Sequence, residues 1–242
     1  MPWFHAVAER DHEIQNPTSR EKIRLLGERL SLSTGAEVLD VGCGKGGPAI
    51  ILARTFGVGI TGVECAPEFA SVARERVVAA GVGDLVQIVE RDAGEFELEP
   101  QRYDVAMCLG ASFVWNGLEA TLAALTPSVR PGGRVVVGEP YWRRWPLPEG
   151  IADDGFASLD GTTGRFEAAG LRVEALIASS EDDWDRYESL HWGALEDWLD
   201  EHPDDPDAAG IRRRHEQVRA DYLRWRRELF GWAIFVGRRR RR

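Results

Sequence analysis

Apolar residues fall into two patterns along the chain: short runs of strand length, and longer stripes that recur at helical spacing. The short runs predict six strands: Val38 to Val41, Val58 to Val63, Val86 to Glu90, Asp104 to Leu109, Val135 to Gly138 and Leu171 to Ile177. Between them, Pro48 to Thr55, Pro67 to Ala80 and Leu118 to Val129 read as helices, and Arg165 to Ala169 as a short one ending at Gly170. Strands alternating with helices give an α/β fold with a parallel sheet and crossover helices. Ahead of the first strand, Thr18 and Glu21 form a capping-box signature for a stripe of Ile23, Leu25, Leu26 and Leu30. After the sixth strand come two helices, near 181–202 and 207–228. A last apolar run, Leu229 to Val236, has no helix behind it and is expected antiparallel beside strand six. The layout is therefore a leader (1–35), a core (36–178), a helical insertion (179–228) and a final strand with a basic tail (229–242).

The core is organised around Glu37-Val-Leu-Asp-Val-Gly-Cys-Gly-Lys-Gly-Gly47, where a buried strand ends in glycines and a helix begins. Glycines allow a sharp turn and close approach of backbone to ligand, and the helix N-terminus favours an anionic group. Gly42, Gly44 and Gly47 fit the dinucleotide spacing, while Gly42, Gly44 and Gly46, with Asp40 two residues ahead, fit G-x-G-x-G. A carboxylate at Asp40 repels a pyrophosphate but receives an ammonium. Glu64, at the end of strand two, lies where such a site places the acid for ribose hydroxyls.

Composition narrows the field. The 242 residues are enough for one α/β domain with an insertion, and 43% apolar content suits a globular protein. No run is long and apolar enough to predict a transmembrane helix, and the polar N-terminus points to the cytoplasm. A formal charge of −10 argues against a non-specific nucleic-acid binder. Against that stands a basic late helix with Arg212, Arg213, Arg214, Arg219, Arg224, Arg226 and Arg227, preceded by acidic stretches that can pair with it. Cys43, Cys65 and Cys108 have neither zinc nor disulfide spacing and read as reduced thiols.

Taken together, Val38–Gly46, Glu64, Asp92 after strand three, Tyr103-Asp104 opening strand four and Pro131-Gly132-Gly133 before strand five resemble the class I S-adenosylmethionine (SAM)-dependent methyltransferases. The resemblance spans about 10–178. The segments His12-Glu-Ile-Gln-Asn-Pro17, Gly138-Glu-Pro-Tyr-Trp142, Trp184-Asp-Arg-Tyr187 and Phe230-Gly-Trp232 extend it toward uncharacterised bacterial small-molecule methyltransferases. It implies a doubly wound, seven-stranded, Rossmann-like sheet binding SAM and its product S-adenosylhomocysteine (SAH). The cofactor residues it implies are Asp40, Gly42, Cys43, Gly44, Lys45, Gly46, Glu64, Cys65, Asp92, Ala93, Leu109 and Gly110. The resemblance further implies that Asp92 takes the adenine amino group and that the backbone at Leu109-Gly110 flanks the sulfur.

Methyl transfer from a sulfonium is an in-line displacement that asks for position, exclusion of water and, for hydroxyl or ammonium acceptors, removal of a proton. Candidates for that last task are His12 in the leader, Glu139 after strand five and His191 in the insertion. Asn16, Trp115, Tyr141 and Trp142 are candidates for substrate binding, the aromatics as an apolar box. The leader and insertion together are expected to roof the pocket. Leu109-Gly-Ala-Ser-Phe113 lacks the Asn-Pro-Pro-aromatic tetrapeptide of adenine and glutamine methyltransferases. No Asp follows strand four to hold Mg²⁺, so no metal ligands are expected. These features point to metal-independent O- or N-methylation of a small molecule. An RNA or protein methyltransferase docking through the arginine-rich helix, and an NAD-dependent oxidoreductase, remain as alternatives.

Overall fold

The computed structural model describes residues 2–240, so Arg241 and Arg242 of the basic tail lie outside the described residues. In chain order the leader holds α1 (Pro2–Ala8) and α2 (Arg20–Arg29). The core follows as β1 (Glu37–Val41), α3 (Gly47–Phe56), β2 (Gly59–Glu64), α4 (Pro67–Ala79), β3 (Val86–Glu90) and β4 (Tyr103–Leu109). It continues with α5 (Leu118–Ser128), β5 (Val129–Trp142), α6 (Leu159–Ala168) and β6 (Leu171–Ala178). The insertion is α7 (Glu181–Glu201) and α8 (Ala208–Asp221), then a π-helical turn (Tyr222–Arg226) and the single turn α9 (Arg227–Leu229), before β7 (Phe230–Arg239).

The seven strands form one sheet in the order β3-β2-β1-β4-β5-β7-β6. Only β7 is antiparallel, and it inserts between β5 and β6. Strand order reverses between β1 and β4, and a doubly wound sheet opens its ligand crevice at the carboxyl ends of strands at that point. Alternation along β1 sends Val38 into one core with α2, α3 and α4, and Leu39 and Val41 into the other with α5 and α6. The leader is tied to the insertion: Phe4 and Ala8 of α1 pack on Leu195 and Leu199 of α7 and Ile211 of α8.

Two local expectations shift. Ser19, not Thr18, caps α2, its hydroxyl accepting the Lys22 N–H at 3.2 Å. Strand five is far longer than its apolar run. Pro131-Gly132-Gly133 bulges out as pairing jumps from Tyr103↔Val129 to Val105↔Arg134, and the strand then continues to Trp142. Its extension is held by β7, with Tyr141 opposite Gly231 and Trp142 opposite Phe230. A Cβ on Gly231 would meet the Tyr141 ring at 2.4 Å, and one on Gly138 the Trp232 ring at 2.3 Å, so aromatic rings lie flat on both glycines.

Candidate active site

The floor of the site is the turn from β1 into α3. Gly42, Gly44 and Gly46 all have positive φ (69°, 55° and 73°), which favours glycine there. Glu64 at the end of β2 braces the turn, one oxygen accepting the Gly44 N–H at 2.9 Å and the other the Ala66 N–H at 2.8 Å. Asp40 is 1% exposed, and its Oδ2 has no hydrogen-bond partner among the described residues. Burial, reinforced by the nearby Glu64 charge, pushes its pKa up to about 8. A buried carboxylate left this way is matched to a cationic ligand group.

Above the floor is a cavity of about 470 Å³, within the usual range of small-molecule sites. Asp40, Gly42, Cys43, Gly44, Glu64, Cys65, Asp92, Ala93, Leu109 and Gly110 all line it. Lys45 faces elsewhere. Its ammonium donates to the carbonyls of Glu9 (2.5 Å) and Arg10 (3.0 Å), just past the end of α1. Gly46 serves as the N-cap of α3.

The leader lies directly over this turn. Gln15 accepts the Lys45 N–H at 2.7 Å, and Asn16 donates to the Leu109 carbonyl at 2.9 Å. Cβ atoms on Gly44 and Gly110 would strike those two side chains at 2.1 and 1.9 Å, so both glycines are needed for the approach. Asn16 thus lines the cavity while tethered to β4.

His12 and His191, predicted separately, are brought together, their rings 4.4 Å apart. Two residues that sequence reasoning missed join them. Glu9 Oε1 accepts from the Tyr187 hydroxyl and from His191 Nε2, both at 2.9 Å. His12 Nε2 donates to the Tyr187 carbonyl at 2.9 Å, which leaves His12 Nδ1 as the free ring nitrogen, 3.4 Å from Glu9 Oε2. Neither of those two atoms has a hydrogen-bond partner among the described residues. Burial acts to raise the pKa of Glu9, but the His191 hydrogen bond and the charges of His191 and His12 outweigh it and hold the group below the usual carboxylate range. Burial also lowers His12, against the pull of the Glu9 charge. Glu9 and Tyr187 line the cavity. The spacing of Tyr187 to His191, one helical face of α7, was the available signal; Glu9 and His12 meet instead through the turn that follows α1.

His12, His191 and the remaining candidates are placed off the cavity lining. Because β5 runs on to Trp142, Glu139, Tyr141 and Trp142 are strand residues whose side chains alternate between the two cores. Trp142 is 1% exposed and packs on Phe230 and Trp225. Tyr141 joins the α5–α6 core. Glu139 lies on that same side, with burial pushing its pKa up to about 7 against a hydrogen bond with Ser112. Trp115 packs half-buried in a 3₁₀ turn, and its neighbours Phe113 and Val114 face the cavity instead.

Residues 38–133 match the methyltransferase-domain family. The chain is 33% identical to the uncharacterised protein YjhP of Escherichia coli over 98% of both chains. It is 28% identical to 27-O-demethylrifamycin SV methyltransferase of Amycolatopsis mediterranei, over 74% of this chain and 67% of that one. Among solved structures it is similar to a SAM-dependent methyltransferase from Thiobacillus denitrificans in complex with SAH, at a TM-score of 0.93 and 33% identity, with 99% of each chain covered.

Proposed function

The chain belongs to the SAM-dependent methyltransferases, with SAM as its cofactor, and on that premise we propose that it methylates an oxygen or nitrogen of a small, neutral or cationic acceptor without a metal. When bound, SAM supplies an electrophilic methyl group on a sulfonium. The residues present fit the cofactor: the unpartnered Asp40 suits its ammonium, the glycine turn its close approach, and Glu64 and Asp92 its nucleoside. Gln15 and Asn16 cover the turn and exclude water.

The observation that carries the reading is that Glu9 and Tyr187 of the roof cluster line the same cavity as that floor. Glu9 is ionised at neutral pH and can take the proton an acceptor loses. That proton settles between Glu9 Oε2 and His12 Nδ1, where two lone pairs otherwise face each other at 3.4 Å. Tyr187 and His191 hold the carboxylate in place through Oε1. The carboxylates of Glu9, Glu13, Glu64, Glu68 and Asp92 around the cavity disfavour phosphorylated acceptors. Docking of RNA through the late arginines is less supported. Arg226 pairs with Asp154 and Arg227 with Asp185, while Arg214 lies over Phe4 and Arg219 over Trp192.

The test is SAH formation from SAM with a panel of small amines, phenols and alcohols in EDTA, beside calorimetric titration with SAH and NADH. Turnover without added metal and SAH binding are expected. NADH binding without SAH binding, or turnover only on addition of a metal, overturns the proposal.

A further inference from the structure

Glu9, His12 and His191 come from two segments that meet only in the folded chain, and each offers a donor atom to one small space. Glu9 Oε1 and His191 Nε2 are 2.9 Å apart, Glu9 Oε2 and His12 Nδ1 are 3.4 Å apart, and one donor atom from each residue lies within 4.8 Å of the others. Ligands bonded at about 2.0–2.2 Å to a tetrahedral ion sit roughly 3.4 Å from one another. Contraction of the cluster onto an ion therefore needs side-chain movement of about 1 Å or less.

Two further observations point to a ligand here. Glu9 is 9% exposed and His12 3%, yet Glu9 Oε2 and His12 Nδ1 lack partners among the described residues and face each other. Two buried acceptors at that distance repel unless something positive lies between them. The supporting shell is also in place. His12 commits its other nitrogen to the Tyr187 carbonyl, and the Tyr187 hydroxyl holds Glu9, the outer contacts that orient metal-binding imidazoles and carboxylates. The nearby Lys45 ammonium is turned onto the carbonyls of Glu9 and Arg10.

We propose that Glu9, His12 and His191 bind one divalent transition ion of the zinc class, and that the ion and the acceptor's proton are mutually exclusive occupants of this cluster. Two imidazoles and one carboxylate suit zinc, cobalt or nickel rather than magnesium or calcium, which prefer all-oxygen ligands. His191 frees its Nε2 lone pair by carrying its proton on Nδ1, and the ion takes the Glu9 and His12 lone pairs that otherwise accept the proton, so loading switches methyl transfer off.

The full-length protein, stripped with EDTA and desalted, is titrated with Co²⁺ by visible absorption and with Zn²⁺ by calorimetry. One ion per chain with ligand-field absorption is expected, its affinity reduced at least about tenfold in Glu9→Gln and in His12→Gln. Each variant must bind SAH like the wild type, which certifies its fold; should His12→Gln fail that check, His191→Gln replaces it. Zinc should also stop SAH formation with a midpoint matching the calorimetric one. Absence of binding at millimolar metal, or wild-type affinity in the variants, overturns the site. Undiminished turnover at saturating zinc overturns the mutual exclusion. The exclusion rests on Glu9 as proton acceptor, and the two readings fail separately. Wild-type turnover by Glu9→Gln in metal-free buffer defeats the proton acceptor, whereas the cobalt titration reads the ligand set whatever the acceptor.

Discussion

The floor of the cavity is built on the ends of adjoining strands, with Asp40, Gly42 and Gly44 within five positions and Glu64 braced against their turn. The roof is assembled from a distance: Tyr187 and His191 meet Glu9 across 178 and 182 residues of sequence. The floor works through backbone geometry and one buried charge. The roof works through side chains whose partners depend on how the leader docks on α7. A substitution in the floor should therefore change cofactor affinity, and one in the roof should change turnover.

The largest effect expected is on Glu9. Glu9→Gln should lower kcat by roughly 10²–10⁴-fold, the usual worth of a positioned base, while SAH affinity stays within about twofold. Steady-state kinetics beside calorimetry measures both, and an equal loss in both would erase the division between roof and floor. Next comes Trp142, which supports the roof from below by packing on Phe230 and Trp225. Trp142→Ala should cost about 3–5 kcal/mol of stability in denaturant unfolding. A loss of turnover with stability intact would return Trp142 to the substrate.

Asp40→Ala should weaken SAH by roughly 1.5–3 kcal/mol, a charge-assisted hydrogen bond's worth, with turnover at saturating SAM less affected. Its pH dependence has a definite sign. Without ligand, Asp40 keeps its proton to about pH 8 when folded but ionises in the ordinary carboxylate range when unfolded. The folded state then binds more protons, so this group's contribution to stability falls as pH rises from about 4 to about 8. An ammonium ligand favours the ionised form, so wild-type SAH affinity should rise from pH 6 to 8 and level off, a slope that Asp40→Asn abolishes. The smallest effect belongs to the exposed Arg10–Asp197 bridge between leader and α7. Asp197→Ala should change stability by about 0–1 kcal/mol and leave turnover unchanged.

The same division explains what could be read in advance. The alternation of strands and helices, the antiparallel β7 and the glycine turn follow from apolar periodicity and residue types at fixed spacing. The length of β5 does not, because its last residues are held by β7 rather than by any pattern of their own. Glu139, Tyr141 and Trp142 were therefore expected in a loop and stand in a strand. His12 and His191 stood out by residue type, but a glutamate at position 9 and a tyrosine at 187 look like ordinary polar helix positions until the two segments touch. Phe113 was passed over for Trp115, since a 3₁₀ turn decides which of them faces the cavity.

Lys45 belongs to the glycine turn, yet its ammonium holds the chain just after α1, and its N–H holds Gln15. The segment lying over the cavity is thus fastened to the turn proposed to seat the cofactor. Spent cofactor is then expected to leave as that fastening opens, with departure of SAH, rather than displacement, the slow event of the cycle. Rapid-quench mixing should then show a first turnover faster than those that follow, and kcat should fall as solvent viscosity rises. Lys45→Met, which keeps the buried stem and removes the donor, should diminish both signatures together. A linear first turnover in the wild type would show that the leader lifts freely.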